Sequence, residues 1–381
     1  MKLSLFLKFS TKIAIISLFS MPSVHAVSGP PTALSDASAV SFSGASKYVF
    51  SANQSAHNLT AYKMDSKTGA LAAMLGSPYV TGKFPVSVVT SPAGDYVYVV
   101  NQGSSTISAF YVDSDLNKLV SVVGSPFAAG THPDAITITP NGRFAYVASE
   151  DDNEVMVYAI DGKSGTLIDT GKRVATGTHP IAVVLSPKGQ FAYVSNYNDN
   201  TVSAYQVNEH DGSLTASAAP VATGEHPIYV ALSPDGAFAY TANYGGTTVS
   251  AFRVDSKSGA LTEIAGSPFF SGAKPYSVTV DPSEHYLYAA NWGSHDVSAF
   301  ALNQHNGSLA PVAGSPFHSD WFPYAVVVEP DDQFVYVANN GNANISAFAI
   351  DEHSGALKRL PNSPFQSGNG PYSLAISELL R

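Results

Sequence analysis

The chain has 381 residues, and its 29 Asp and Glu residues outnumber its 19 Lys and Arg residues, which gives a formal net charge of −10 at pH 7. Nucleic acids and anionic membranes bind clustered basic side chains, and no such cluster occurs here, so neither is an expected partner. The sequence has no cysteine, which excludes disulfides, thiolate metal sites and a cysteine nucleophile and leaves the fold to be stabilised by packing.

The N-terminus has the three parts of an export signal. Three lysines accompany a short apolar stretch at residues 13–21, and the tripeptide that ends at Ala26 resembles a cleavage site. The apolar stretch is too short to span a bilayer, and no later stretch is long enough. We therefore predict a signal peptide at 1–26, a single domain at 27–381, and export to the periplasm or the medium.

A unit of 47 or 48 residues then occurs seven times. Each unit has a proline at the same place: Pro85, Pro133, Pro180, Pro227, Pro275, Pro323 and Pro371. A second marker has the same spacing, at Asn53, Asn101, Asn196, Asn243, Asn291 and Asn339, with Ser149 in the one irregular position. Repetition at this period, with several short apolar strands in each unit, is typical of radial β-sheet repeats.

The unit that begins at Pro323 illustrates the predicted strands. Residues 324–328 are almost all apolar, as expected of a strand that is covered on both faces. A Pro-Asp-Asp turn follows, and then come strands at 334–338 and 344–350 and a short fourth strand around Leu357. Four antiparallel strands in each of seven units predict an all-β protein, a seven-bladed β-propeller.

The two ends of the chain compete for the innermost strand of the first blade. Residues 39–43 and the segment after Pro371 both have the pattern of a first strand, and only one of them can take this place. The C-terminal segment fits the repeat better. We therefore predict that it closes the ring, which removes the exposed sheet edges that would invite aggregation.

The second strands and their turns carry a family resemblance. The runs Ser186-Pro-Lys-Gly-Gln-Phe-Ala-Tyr-Val-Ser-Asn196 and Ser233-Pro-Asp-Gly-Ala-Phe-Ala-Tyr-Thr-Ala-Asn243 are of the YVTN type, and Gly-Ser-Pro-Phe or Gly-Ser-Pro-Tyr closes several units. Over residues 39–377 the chain resembles the lactonase-like β-propellers, which include 6-phosphogluconolactonase and carboxymuconate cyclase. The resemblance implies the propeller fold, and it implies hydrolysis or formation of a sugar-acid or muconate lactone at the channel mouth.

Three histidines fall at equivalent positions on one rim of the predicted channel. In an up-and-down blade the marker prolines and asparagines share this rim, and His132, His179 and His226 directly precede three consecutive prolines. These imidazoles could serve as acid and base near neutral pH, with Glu225 or Asp134 orienting them. They could also ligate a metal or simply fill the grooves between blades. Because no carboxylate ligand is fixed by the spacing, we expect neither a metal nor a cofactor.

Aromatic residues occupy another arc of the same rim. The predicted ligand-binding residues are Tyr197, Tyr244, Trp292 and Trp321 in loops, together with Tyr276 and Tyr324 directly after marker prolines. Flat aromatic faces suit sugar rings and peptide side chains. Packing between blades is the alternative role for the tyrosines. A further departure from the repeat is the acidic run at 150–154, for which a solvated loop is favoured over a Ca²⁺ site.

Three functions stay open from the sequence. It favours a monomeric exported propeller that binds a small-molecule, glycan or protein ligand at the channel mouth, because this function requires the fewest residues to be in place. The alternative is hydrolysis of an unphosphorylated sugar-acid lactone, since an acidic rim without the arginines that the family resemblance implies suits a phosphorylated substrate poorly. A structural surface or envelope protein is the second alternative.

Overall fold

The computed structural model describes residues 46–379, which form seven antiparallel sheets that we number as blades 1 to 7. The innermost strand of each blade contacts the innermost strands of both neighbouring blades, so these strands form a closed ring around a central channel. This arrangement confirms the predicted seven-bladed propeller. The predicted signal peptide and the segment at 39–43 lie outside the described residues.

The strands have the following bounds. Blade 1 contains β1 (Ser46–Asn53), β2 (Asn58–Met64), β3 (Leu71–Ala73) and β4 (Tyr79–Val80). Blade 2 contains β5 (Pro85–Thr90), β6 (Tyr96–Asn101), β7 (Thr106–Asp113), β8 (Lys118–Ser121) and β9 (Phe127–Ala128). Blade 3 contains β10 (Pro133–Ile138), β11 (Phe144–Ser149), β12 (Glu154–Ile160) and β13 (Leu167–Ala175). Blade 4 contains β14 (Pro180–Leu185), β15 (Phe191–Asn196), β16 (Thr201–Val207), β17 (Leu214–Ala216) and β18 (Val221–Ala222).

Blade 5 contains β19 (Pro227–Leu232), β20 (Phe238–Asn243), β21 (Thr248–Val254), β22 (Leu261–Glu263) and β23 (Phe269–Phe270). Blade 6 contains β24 (Pro275–Val280), β25 (Tyr286–Asn291), β26 (Asp296–Leu302), β27 (Leu309–Pro311) and β28 (Phe317–His318). Blade 7 contains β29 (Pro323–Val328), β30 (Phe334–Asn339), β31 (Asn344–Ile350), β32 (Leu357–Arg359) and β33 (Phe365–Gln366), and β34 (Pro371–Leu379) ends the described chain. Short 3₁₀ turns occur at Gln102–Ser104 and Asn340–Asn342, and no helix of the described residues is long and apolar enough to cross a membrane.

The C-terminal strand closes the ring, as predicted. β34 lies at the inner edge of blade 1 and pairs antiparallel with β1 from Ser46 opposite Leu379 to Asn53 opposite Pro371. In six of the seven blades a two-residue strand adds to the third strand beside the fourth one, which the repeat pattern did not predict. In blade 3 the single strand β13 takes both places.

Tyrosines of the second strands join each of blades 2 to 7 to the next blade in the ring. The hydroxyl of Tyr240 donates to the backbone carbonyl of Gly307 at 3.0 Å, and this bond links blade 5 to the Asn-Gly turn of blade 6. The same bond recurs around the ring, from Tyr98 to Gly165, Tyr146 to Gly212, Tyr193 to Gly259, Tyr288 to Gly355 and Tyr336 to Gly69. All six rings are fully buried. Because a buried hydroxyl must find a partner, these bonds fix the angle between neighbouring blades.

The repeated asparagines have a structural role. Each of the six is fully buried at the end of a second strand, as is Ser149 at the irregular position. The side-chain amide of Asn196 donates to Thr201 Oγ1 at 3.0 Å and to Ser203 Oγ at 2.8 Å, both on the third strand of the same blade. The markers therefore fasten strands together and leave the rim chemistry to their neighbours.

Candidate active site at the channel mouth

The residue after each marker proline lies at the same level of the channel. These seven residues are Val86, Asp134, Ile181, Ile228, Tyr276, Tyr324 and Tyr372, and they line a cavity of about 550 Å³ including its solvent-filled mouth. Asp134 is the one carboxyl group among the residues of 46–379 that line this cavity, and the three tyrosines occupy adjacent blades. The cavity is therefore polar and acidic at one point and aromatic on the opposite arc.

A backbone hydrogen bond ties two rim loops together in every blade. The N–H of the residue after the Asn marker donates to the carbonyl of the residue before the marker proline, as in the 3.0 Å bonds from Tyr197 to His179 and from Trp292 to Lys274. In blade 3, Glu150 and His132 are joined in the same way. Each blade therefore presents two residues at the rim from a fixed backbone.

The residue before each marker proline has a left-handed backbone conformation. The φ angles are 50° at Phe84, 47° at His132, 63° at His179, 52° at His226, 52° at Lys274, 56° at Phe322 and 70° at Gly370. For a residue other than glycine this conformation costs about 1–2 kcal/mol. Six of the seven blades nevertheless keep a side chain here, and such retained strain is common where the side chain has a function.

The acidic side of the rim centres on a buried carboxyl pair. Asp134 is 7 % exposed, and its carboxyl group is at hydrogen-bonding distance from that of Glu150. Burial, together with the charge of Glu150 and this contact, raises the pKa of Asp134 well above its usual range. Glu150 also contacts His179 Nε2 and accepts a hydrogen bond of 3.0 Å from Gln102 Nε2. Asp134, Glu150 and His179 therefore form a contiguous cluster in which burial favours a proton on Asp134.

The three predicted histidines have separate partners. His132 Nδ1 lies 2.8 Å from Asp151 Oδ2 at the exposed edge of blade 3, while the His226 ring stacks on Tyr197 with centroids 4.3 Å apart. The carboxylates that contact His132 and His179 are Asp151 and Glu150, both of blade 3. The predicted orienting residue Glu225 is exposed in the loop before His226. Across the described part of the chain, no group of three or more His, Asp or Glu side chains is placed to hold a metal ion.

The acidic run at 150–154 organises this side of the rim. Asp152 Oδ2 accepts hydrogen bonds from the Thr131 N–H at 2.7 Å and from Ser149 Oγ at 2.8 Å, and Asn153 Oδ1 accepts one from the His179 N–H at 2.7 Å. The sequence marked the acidic run as a departure from the repeat, but Glu150 was not among the predicted site residues. The sequence feature that could have identified Glu150 is Ser149, which replaces the marker asparagine directly before the acidic run in blade 3.

Three tyrosines form the aromatic wall of the cavity. The rings of Tyr276, Tyr324 and Tyr372 have centroids 4.4–5.6 Å apart, and the hydroxyls of Tyr276 and Tyr372 are in contact. Burial raises the pKa of both of these phenols, so they keep their protons at neutral pH. The wall can donate hydrogen bonds and also stack against a ring.

The other aromatic residues predicted to bind a ligand differ in their exposure. Tyr244 and Trp292 are half-buried, with the Lys274 ammonium 5.3 Å and 5.2 Å from their ring centroids. Trp321 is 62 % exposed and stacks on the imidazole of His295 at 5.7 Å. The structure thus brings Tyr276 and Tyr324 into the cavity and leaves Trp321 on the outer rim.

Comparisons with known proteins agree with this fold. The model of the family "Lactonase, 7-bladed beta-propeller" matches residues 9–130, 120–230, 224–319 and 270–374. No curated protein matches the sequence. A crystal structure of a candidate 6-phosphogluconolactonase from Bacteroides fragilis is 20% identical with a TM-score of 0.79, over 89% of this chain and 99% of that one. The periplasmic gluconolactonase of Pseudomonas aeruginosa is 20% identical with a TM-score of 0.74, over 88% and 100%. The structural matches show the shared fold, and the family match shows that the chain belongs to the seven-bladed β-propeller lactonase family.

Proposed function

We propose that the protein hydrolyses the lactone of an unphosphorylated sugar acid at the channel mouth. The observation that carries the proposal is the Asp134–Glu150–His179 cluster, in which the buried Asp134 lines the cavity that also contains the three tyrosines. Family membership and the names of the two structural neighbours favour lactone chemistry over the ligand-binding function that the sequence alone favoured.

The cluster can supply an acid and a base. Lactone hydrolysis needs a base that takes a proton from water and a donor that stabilises the oxyanion formed at the carbonyl group. In the proposed reaction, His179 Nε2 donates a hydrogen bond to Glu150, which orients the ring. His179 Nδ1 then takes a proton from the water molecule that attacks the carbonyl carbon. The neutral phenols hydrogen-bond the oxyanion, while Asp134 shares its proton with Glu150 and so holds the Glu150 carboxylate against His179. The ring C–O bond then breaks, and the leaving oxygen takes the proton from His179 to give the open-chain hydroxy acid.

The charge around the cluster supports an unphosphorylated substrate. Glu150, Asp151 and Asp152 lie together on the loop beside Asp134. A phosphate dianion placed there would be repelled, whereas a neutral sugar ring would not. This distribution favours lactones whose reacting end carries no phosphate.

The direct test is titrimetric hydrolysis of glucono-1,5-lactone by the wild type and two site variants. We expect His179→Gln to lower kcat by 10²-fold or more, as is usual for a lost general base. Asp134→Asn should lower kcat by roughly tenfold, because the amide can still donate a hydrogen bond to Glu150. Two matched controls should keep wild-type rates. His210→Gln changes an exposed turn, and Asp281→Asn changes the residue that follows β24 at the end remote from the channel mouth. Unchanged turnover in both site variants would overturn the assigned site, and a wild type inactive on all sugar lactones would overturn the function.

Export from the cytoplasm belongs to the same proposal. The predicted signal peptide at 1–26 and the periplasmic location stated in the name of the Pseudomonas aeruginosa protein both favour it. Mass spectrometry of protein purified from the periplasmic fraction should give a chain that begins at Val27. An unprocessed chain confined to the cytoplasm would contradict export.

A further inference from the structure

Lys274 occupies the rim position in blade 6 that histidines occupy in blades 3 to 5. Its ammonium lies 5.3 Å from the Tyr244 ring centroid and 5.2 Å from that of Trp292. None of the ion pairs within residues 46–379 includes this lysine. A positive charge is therefore oriented by two aromatic rings at the mouth of the channel without a carboxylate partner from the described chain.

The strained backbone at this position indicates that the lysine side chain has a function. Lys274 has a φ of 52°, a conformation for which glycine is the unstrained choice, and blade 1 does have glycine at the equivalent Gly370. Aromatic faces attract an ammonium but leave its charge uncompensated. The ammonium is thus held in place and remains able to pair with an anion.

The position relative to the carboxyl cluster defines what that anion could be. Tyr244 is in edge contact with Tyr276 at 5.7 Å, and Tyr276 lines the same cavity as Asp134. The Tyr244 ring thus contacts the Lys274 ammonium on one side and the cavity-lining Tyr276 on the other. One small sugar acid could span this contact, with its carbonyl in the cavity and an anionic group at Lys274.

We infer that Lys274 binds a carboxylate of the substrate, so that the preferred substrates are lactones that carry a second acid group, as uronic and aldaric acid lactones do. This inference rests on the proposed lactone hydrolysis. A single ammonium matches one carboxylate charge, and the acidic loop on the other side of the mouth repels the anionic end of the substrate and so sets its direction. Lys274 would then determine specificity without taking part in the bond-breaking step.

The kinetic test compares three lactones with the wild type, Lys274→Met and Lys83→Met. The substrates are neutral glucono-1,5-lactone, glucaro-1,4-lactone with its free carboxylate, and 6-phosphogluconolactone. Lys274→Met should raise KM for the carboxylate lactone by about 10- to 100-fold, as expected for a lost charged hydrogen bond, with kcat nearly unchanged and the neutral lactone unaffected. Lys83, in the corresponding loop of blade 2, is the control and should change nothing. Equal effects on neutral and carboxylate lactones, or faster turnover of the phosphorylated lactone, would overturn the inference.

A binding measurement separates this inference from the hydrolysis proposal. Trp292 and Trp321 are the two tryptophans of the chain, so Trp321→Phe leaves the indole beside Lys274 as the reporter. Glucarate should change its fluorescence saturably and glucitol should not, and Lys274→Met should abolish the glucarate response. A glucarate response that survives Lys274→Met would overturn the inference even in an active hydrolase. A response that depends on Lys274 in a protein without lactonase activity would uphold the anion site and reject the hydrolysis.

Discussion

Replacement of Lys47 by methionine should destabilise the junction between the first and last blades. Lys47 of β1 is 3 % exposed, and its Nζ lies 2.6 Å from Glu329 Oε2 and 2.5 Å from Asp331 Oδ2. Glu329 is 1 % exposed and also accepts hydrogen bonds from the N–H groups of Asp331 and Gln333. Burial by itself lowers the pKa of Lys47, but the hydrogen bonds to Asp331 and Glu329 more than offset it and raise the pKa above its usual value. Lys47 is therefore charged when buried.

The expected magnitude follows from the charge that is left behind. Removing one partner of a buried ion pair costs about 3–5 kcal/mol because the other charge loses its compensation. The two backbone hydrogen bonds to Glu329 reduce this penalty, so we expect about 3 kcal/mol for Lys47→Met. An unfolding entropy near 0.7 kcal/mol/K for a propeller of roughly 330 residues converts this loss to a fall in Tm of about 4 °C.

The assay is equilibrium unfolding in urea, with scanning calorimetry, of Lys47→Met, Glu329→Gln and the double variant. The double variant should cost less than the sum of the single variants by about 1–3 kcal/mol, because the charge that it leaves at the junction, on Asp331, is half-exposed and none is left buried. Lys172→Met, which breaks a partly exposed ion pair with Asp211, is the control and should cost less than about 1 kcal/mol. A loss below 1 kcal/mol for Lys47→Met, or strictly additive single effects, would refute this account of the junction.

Three further predictions concern stability. Because the pKa of Asp134 is raised by folding, the folded protein keeps a proton on Asp134 that the unfolded chain releases above about pH 4. The contribution of Asp134 to the free energy of unfolding therefore falls as the pH rises from about 4 towards the pKa in the folded state. Denaturant titrations at pH 4 and pH 7 should therefore show Asp134→Asn gaining stability relative to wild type at the higher pH, and a constant difference would contradict this. Tyr240→Phe should cost about 1–2 kcal/mol in the same assay, since the buried Gly307 carbonyl loses its donor; a neutral change would mean that water replaces the hydroxyl. Gly355→Ala should cost roughly 2–4 kcal/mol, because φ is 72° and an added Cβ would overlap the Tyr286 ring, and a stable variant would show that the turn can shift.

The architecture was predictable because every blade repeats the same sequence pattern. The prolines, asparagines and apolar runs recur at one period, so the order of strands and the closing role of the segment after Pro371 could be inferred without any side-chain contact. The added two-residue strands could not, because Phe127–Ala128 and its equivalents are too short to show a β-pattern. They pair with the first two residues of the third strand, so their pairing depends on where that strand begins.

The candidate site was predicted only as a set of positions. The repeat places Asp134 and His179 on one rim, but it does not say which side chains meet across the groove between blades. The contacts of Glu150 with Asp134 and His179 depend on side-chain directions and on the loop that follows Ser149. The stacking of His226 on Tyr197 has the same origin. Contacts between blades join residues that no spacing in the sequence marks as neighbours.

The backbone link between the two rim loops has an evolutionary consequence. Since the bond runs from one main chain to another, it forms in blades whose residue before the proline is phenylalanine, histidine, lysine or glycine. Selection can therefore exchange these side chains one blade at a time while the propeller remains intact. New specificities could arise in this scaffold by single substitutions around the mouth, which also makes the fourteen linked positions a natural library for directed evolution.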